Sequence, residues 1–253
     1  MFFEPAINKH KLHAFVKEIF LLENQQVGIT PERLSFFADG FPGLVFLQTD
    51  APVYQLPKGK LLSSLFLYGQ TIHPLELEMT GAYQMLAFQL QPYAVRVLFG
   101  VNPKELNDDC FDLSPDHSDT LHHLHQSSTT TERVEILAKL IAEKTEQIAF
   151  EKSSQIQMAI GIVLSRGGKI SIRALAQELH LSERTLQRLF MEYIGLPPKQ
   201  FTKIVQFQQA FNQISDETFD KLSEIVFENG YADQSHFIRN FRRFTGGKPS
   251  DFK

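Results

Sequence analysis

Two short runs in the last third of the 253-residue chain carry side chains suited to reading a polar surface: Glu183-Arg184-Thr185-Leu186-Gln187-Arg188 and Gln234-Ser235-His236-Phe237-Ile238-Arg239. In each, apolar residues recur at helical spacing (Leu186, Leu189 and Phe190; Phe237 and Phe241). That leaves Glu183, Arg184, Thr185, Gln187, Arg188 and Met191 facing outward in the first run, and Gln234, Ser235, His236, Ile238, Arg239 and Asn240 in the second. An arginine can bond guanine bidentately and a glutamine can bond adenine, so both faces suit base edges in a major groove. Exposed Arg and Gln also simply solvate many helices, and either run alone is a weak signal.

The elements that must hold these faces form an imperfect repeat. Leu175-Ala176 is followed by Leu181, Leu186, Arg188 and Phe190; Ile225-Val226 is followed by Tyr231, Phe237, Arg239 and Phe241. The first pairs lie 50 residues apart and the later ones 51, which places one inserted residue in the second turn. Each copy reads as a helix, a tight turn and a second helix, and Ser182 is a good N-cap for the first reading helix. Duplication with equivalent arginines is hard to explain as mere solvation.

Charge follows the same division. The chain carries −4 overall, which on its own discourages a nucleic-acid partner. Residues 1–149 hold 11 Lys and Arg against 18 Asp and Glu, a balance of −7; residues 150–253 hold 14 against 11, a balance of +3. From about Ser153 onward the pattern is all helix, and the expected domains are 1–149 and 150–253.

The second half resembles the AraC/XylS-type family of bacterial transcription regulators. The resemblance rests on Ile172-x-x-Leu175-Ala176 through Leu181-Ser182-x-Arg184-Thr185-Leu186-x-Arg188-x-Phe190 and Gly195-x-Pro197. It continues in Glu224-Ile225-Val226 through Gly230-Tyr231-x-Asp233-x-Ser235-x-Phe237-x-Arg239-x-Phe241, then Gly246-x-x-Pro249-x-x-Phe252. It implies two helix-turn-helix units joined by a linker helix at about Pro198 to Gln213, with recognition helices in successive major grooves about 34 Å apart. It also implies double-stranded DNA as partner, with base contacts from Arg184, Gln187, Arg188, Gln234, Ser235, His236 and Arg239. Phosphate contacts would come from Lys169, Arg242, Arg243, Lys248 and helix-start amides. Three positions depart from the family: Gln206 stands where arginine is usual, Val226 where alanine is usual, and Lys253 where arginine is common. Gln206 would weaken a polar contact, and Val226 would alter the packing of the second unit.

The first half reads as short strands. Ser35-Phe36-Phe37-Ala38 and Leu44-Val45-Phe46-Leu47 flank Asp39-Gly40-Phe41-Pro42-Gly43, which suggests two strands joined by a turn. Leu62 to Tyr68 and Gln84 to Leu90 are further candidates, and Leu75-Glu76-Leu77-Glu78-Met79 alternates, burying Leu75, Leu77 and Met79. A short helix is expected at Tyr93–Phe99, a polar linker over roughly 114–131, and a helix carrying Val134, Leu137, Ala138, Ile141 and Ile148. Ile136 and Leu140 give that helix a second apolar face, for a dimer or for its own domain. The expected fold is therefore α+β: a small β-barrel or sandwich-like domain with flanking helices, then an all-α domain with two helix-turn-helix units. Gly69, Phe88 to Ala94, and Asn102-Pro103-x-Glu105-Leu106-x-Asp108 resemble N-terminal domains of some family members. That resemblance implies a small-molecule effector or dimerisation. Phe41, Phe46, Phe66, Tyr68 and His73 are the candidate pocket residues.

Other constellations point elsewhere only faintly. His117, His122, His123 and His125 cluster, but in a Ser/Asp-rich stretch that reads as polar surface, and no metal is expected. Cys110 sits among Asp108, Asp109 and Asp112, acidic neighbours that raise a thiol pKa. No nucleophile elbow, phosphate loop or H-E-x-x-H pattern is present, and Glu76 and Glu78 face solvent by alternation, so no enzyme and no cofactor are expected. The rival is a β-barrel ligand-binding protein or enzyme whose helical tail assembles partners. One cysteine, no signal-like start in Met1-Phe2-Phe3-Glu4-Pro5 and no apolar run near 18 residues point to the cytoplasm and away from a membrane. RNA polymerase and a second copy of the chain complete the partners the resemblance allows.

Overall fold

The computed structural model describes residues 12–25, 30–146, 153–216 and 222–252. The described residues of the first half form nine antiparallel strands: β1 (Val16–Asn24), β2 (Glu32–Phe36), β3 (Gly43–Thr49), β4 (Tyr54–Leu56), β5 (Lys60–Leu61), β6 (Leu65–Tyr68), β7 (Leu75–Met79), β8 (Tyr83–Leu90) and β9 (Cys110–Asp112). They form a five-stranded sheet ordered β1-β8-β3-β6-β9 and a four-stranded sheet ordered β2-β7-β4-β5. Among the described residues the result is two facing sheets that do not close into a barrel.

The middle strands of the larger sheet are buried on both faces, and their alternation assigns each face. Leu44, Phe46, Leu65, Leu67, Leu86 and Phe88 point to the helices, whereas Val45, Phe66, Met85 and Ala87 point to the smaller sheet. This corrects the expected β2–β3 pair. β2 pairs with β7, from Glu32↔Met79 to Phe36↔Leu75, while β3 pairs with β6 and β8. The Asp39-Gly40-Phe41-Pro42-Gly43 stretch carries the chain from one sheet to the other instead of closing a hairpin.

Helices α1 (Ala94–Phe99), α2 (Ser118–Gln126) and α3 (Thr130–Glu146) cover the larger sheet. Gly100 ends α1 in the left-handed conformation (φ 67°), its amide donating to Arg96. The stretch expected as a polar linker contains α2, whose anchor is the buried Leu124. In α3, Val134, Leu137, Ala138 and Ile141 are buried as the spacing predicts; Ile148 lies outside the described residues. Leu140 is also buried, and Ile136 packs partly against the same core, so this second face serves the chain's own packing.

The remainder is helical: α4 (Ser154–Ser165), α5 (Ile172–Glu178), α6 (Glu183–Tyr193), α7 (Pro198–Ser215), α8 (Leu222–Glu228), α9 (Gln234–Thr245) and a closing 3₁₀ turn Pro249–Phe252. One continuous apolar core runs from the larger sheet through α1 and α3 into these helices. Direct contacts fasten the halves together. Asn107 Nδ2 donates to the Gly195 carbonyl at 3.0 Å, and Gln208 Nε2 donates to the Ala38 carbonyl at 2.6 Å. Gly195 has φ +78°, and a Cβ there would lie 2.5 Å from the Pro103 carbonyl carbon, so this close approach requires glycine.

Candidate nucleic-acid interface

The two helix-turn-helix units share the same turn chemistry. In the first, Leu181 N donates to Ala176 O at 2.8 Å; in the second, Tyr231 N donates to Val226 O at 2.9 Å. His180 and Gly230 occupy the left-handed position of each turn. Ser182 caps α6 by accepting from Thr185 N, and Asp233 caps α9 by accepting from His236 N. The equivalence holds at a 50-residue offset through Tyr231 and at 51 from Asp233, so the inserted residue is Ala232. Val226 is buried yet keeps the turn bond that alanine makes in the first unit.

Capping and packing together aim the reading faces outward. Leu186, Leu189 and Phe190 anchor α6, and Phe237, Phe241 and Phe244 anchor α9. Arg184, Gln187 and Arg188 are exposed, as are Gln234, Ser235 and Arg239. Arg188 has only a loose partner, Glu192 at 3.9 Å on the same helix. His236 differs from the expectation of a free reader. Its ring packs on Tyr231, 5.7 Å between centroids, and Nδ1 is buried without a hydrogen bond, so only its outer edge faces solvent. Ile238 also turns partly toward the core.

The linker helix α7 is gripped from both ends of the repeat. Pro197 and Pro198 start it, and Phe201, Ile204, Val205, Phe207, Ala210 and Ile214 are buried. Gln206 Nε2 donates to the Asn229 carbonyl, so the residue expected to weaken a contact holds the second turn instead. Lys169, expected at a phosphate, directs Nζ to the Glu228 carbonyl at 3.0 Å and ties the base of the first unit to α8. Arg242, Arg243 and Lys248 are exposed, with the Arg243 guanidinium 5.8 Å from the Phe244 ring; Lys253 lies outside the described residues.

A groove beside α6 and α7 exposes cations that helical periodicity did not single out. Arg173, Lys199 and Lys203 line it with Lys169, against a single acidic residue, Glu183. Their signal was present but dispersed, because the three lysine and arginine positions fall on two different helices.

The N-terminal domain encloses a cavity of about 90 Å³ between its sheets. Phe66 and Tyr68 line it, together with Phe20, Phe36, Leu77 and Met85. Phe46, Phe41 and His73 do not. Phe46 belongs to the opposite face of β3, beneath His125 and Arg133, because alternation sends it to the helices. Phe41 is buried beneath the Lys17 ammonium, and His73 is an exposed ring bonded to Asp108 Oδ2 at 2.8 Å. The residue missed is Asp39, whose carboxyl lines the cavity; burial pushes it up to about 6, against the Phe41 amide, Lys17 and Gln89. Its neighbour Cys110 is pushed up to about 12 by burial, with Asp109 adding to the effect and Lys60 and Lys58 opposing it. The acidic neighbours are thus a minor cause. His117, His122, His123 and His125 sit on and before α2, and among the described residues no group of three or more His, Cys, Asp or Glu could hold a metal ion.

Comparison with known proteins agrees with this geometry. Residues 175–253 match the family described as Helix-turn-helix domain, and residues 7–112 match a Domain of unknown function (DUF6597). The HTH-type transcriptional activator RhaS of Escherichia fergusonii is 31% identical over 84 residues, covering 33% of this chain and 30% of RhaS. RhaS of Salmonella newport is 29% identical over 80 residues, covering 32% and 28%. The chain therefore spans less than a third of the length of these relatives. ToxT from Vibrio cholerae shares the fold across both halves, with a TM-score of 0.54 at 12% identity over 93% of this chain and 98% of ToxT. A ToxT structure bound to (E)-4-(8-methylnaphthalen-1-yl)but-3-enoic acid gives 0.50 at 10% identity, covering 93% and 98%. With the duplicated units, their capped and outward-facing helices and the match over residues 175–253, the C-terminal part of the chain is a helix-turn-helix domain similar to that of the RhaS activators.

Proposed function

We propose that the protein is a sequence-specific DNA-binding transcription regulator in which residues 150–253 read double-stranded DNA and residues 1–149 take up a small-molecule effector. The observation that carries this reading is the pair of identically bonded turns, joined by the linker helix α7, that expose Arg184, Gln187 and Arg188 on α6 and Gln234, Ser235 and Arg239 on α9. In this reading those six residues meet base edges, with His236 contributing through its outer edge. Arg242, Arg243, Lys248, Arg173, Lys199 and Lys203 meet phosphates, and Lys169 adds charge from its bonded position. A net +3 over residues 150–253 is modest, so moderate affinity is expected at physiological salt.

The effector side of the reading rests on the cavity between the sheets and on the bound acid in one ToxT structure. An effector that prefers one arrangement of the two halves shifts the population between them, and with it operator affinity or contact with RNA polymerase. A second copy of the chain is a further partner, catalysis has no part, and the cytoplasm is the site of action. Among the described residues no helix is long and apolar enough to cross a membrane.

The test is fluorescence anisotropy of the full chain on DNA from upstream of its own gene, against a scrambled duplex, over a salt series. Binding to the upstream DNA at least ~10³-fold tighter, with log affinity falling linearly in log salt, is expected. A flat salt response or equal affinity for both duplexes overturns the reading.

A further inference from the structure

The cavity between the sheets holds one group that its protein neighbours leave incompletely served. Asp39 Oδ1 accepts the Phe41 amide at 2.9 Å and Oδ2 accepts Gln89 Nε2 at 2.7 Å, and its own backbone amide also bears on the carboxylate, which can accept about four such bonds and so keeps room for a further donor. Among the described residues no cation lies within ion-pair distance of it. Lys17 directs its Nζ to Gln89 Oε1 at 3.0 Å and stands over the Phe41 ring at 4.0 Å, so it acts on Asp39 only through space. The Tyr68 and Thr71 hydroxyls line the same cavity, Thr71 only 5% exposed, and neither has a hydrogen bond among the described residues.

A desolvated carboxylate without a cation is costly, and that cost is relieved by bringing one in. Tyr68 and Cys110 are both held neutral at neutral pH by burial, so Asp39 supplies the only charge in the lining. A ligand anion would meet repulsion there. A head with several donors and a positive charge would find a carboxylate and two hydroxyls to accept from it. The other walls are aromatic and aliphatic. At about 90 Å³ the cavity is smaller than the roughly 150 Å³ that accommodates benzene, which suits a branched body of a few carbons.

The same segment touches the DNA-reading half. Phe37 lines the cavity while its ring lies 5.8 Å from Phe211 on α7 and 5.3 Å from Phe252 in the closing turn. The Ala38 carbonyl accepts Gln208 of α7, and Gly40 (φ +84°) faces the Phe201 ring and Ile204, also on α7. Residues on either side of Asp39 therefore rest on the linker helix.

We propose that this cavity binds a small branched aliphatic amine, its ammonium held by the Asp39 carboxylate and the Tyr68 and Thr71 hydroxyls, and that the Phe37–Gly40 segment carries its presence to the linker helix. The proposal rests on the effector reading above and names the chemistry of that effector.

Three small probes with an isopropyl body, each smaller than or close to benzene in size, test it on the full chain by calorimetry: isopropylamine, propan-2-ol and isobutyrate. The amine is expected to bind at least tenfold tighter than either of the others. Asp39→Asn should remove that preference while leaving the alcohol within twofold. With a carboxyl near 6, amine affinity of the unaltered protein should also fall about tenfold between pH 7 and pH 5, so the assignment is tested even where the variant fails to fold. Anisotropy on the upstream duplex reads the relay: the amine should shift DNA affinity at least threefold, and Gln208→Ala should shrink that shift without changing amine affinity. Alcohol or isobutyrate binding as tightly as the amine, an Asp39→Asn protein that keeps the preference, or no binding of any probe overturns the ligand assignment. An amine that binds without moving DNA affinity overturns the relay. Specific DNA binding with no amine preference leaves the regulator reading standing, whereas amine binding with equal affinity for scrambled DNA removes that reading and keeps the ligand.

Discussion

His180 and Gly230 occupy the same left-handed position in the turns of the two helix-turn-helix units, at φ 54° and φ 71°. Each donates its amide back into the helix before it, His180 N to Gln177 O at 3.1 Å and Gly230 N to Phe227 O at 3.0 Å. A side chain at this conformation carries a steric cost that glycine avoids. His180→Gly is therefore expected to stabilise the protein by roughly 0.5–1 kcal/mol, and Gly230→Ala to destabilise it by roughly 1–2 kcal/mol. Urea unfolding followed by far-UV circular dichroism checks both signs.

Base reading and phosphate binding should separate in the arginines and lysines. Arg188→Ala or Arg239→Ala should each weaken the upstream complex by ~1–3 kcal/mol and relax preference at one base position. Lys203→Ala, in the groove beside α7, should weaken upstream and scrambled DNA alike and reduce the salt slope by about 1. Anisotropy on a set of single-base variants decides; unchanged preference in both arginine variants would remove the contact assignment.

The seam between the halves has its own weak point at Gly195. An added Cβ would collide with backbone at Pro103 and Lys104, which cannot swing aside as a side chain could. Gly195→Ala should cost roughly 2 kcal/mol or more and raise amide exchange in α1 and α6 ahead of the sheet strands. Hydrogen exchange read by mass spectrometry would show whether opening starts at this seam.

Acid stability should carry the imprint of two carboxyls with opposite shifts. Asp39 sits near 6, above its ordinary 3.8, because burial outweighs its hydrogen bonds. Between about pH 4 and 6 the folded chain thus holds more protons than the unfolded one, and stability falls as pH rises. Asp109 is held at about 2 as Lys60 and Lys58 overcome its partial burial, so its contribution is lost only as pH falls below about 4. Asp39→Asn should flatten the pH 4–6 slope and leave the acid limb unchanged, as urea midpoints across that range would report.

What was legible in the sequence follows the range of the interactions. The helix-turn-helix pair could be read down to its inserted residue, because Ser182 and Asp233 cap within three residues and the apolar anchors repeat every helical turn. The sheet pairing could not. Phe36 meets Leu75 and Val45 meets Ala87, partners about 40 residues away that no local turn signal selects. Helix α2 escaped notice because its buried anchor is the single Leu124 in a polar run. Asp39 looked like an ordinary turn acid; its place in a cavity depends on two sheets closing around it. The Ala38–Gln208 bond spans 170 residues and uses a backbone carbonyl, a group that sequence does not distinguish.

The Lys169 bond to the Glu228 carbonyl, with Gln206 on the neighbouring Asn229 carbonyl, has a consequence for the genome as much as for the protein. On the proposed reading, two heads tied together at their backs would act as a gauge of set length. Such a protein would be set down where two short words stand one helical turn apart on the same side of the duplex, about 10 base pairs from centre to centre. Five extra base pairs between those words would turn the second to the far side and silence the site, although every contacted base would still be present.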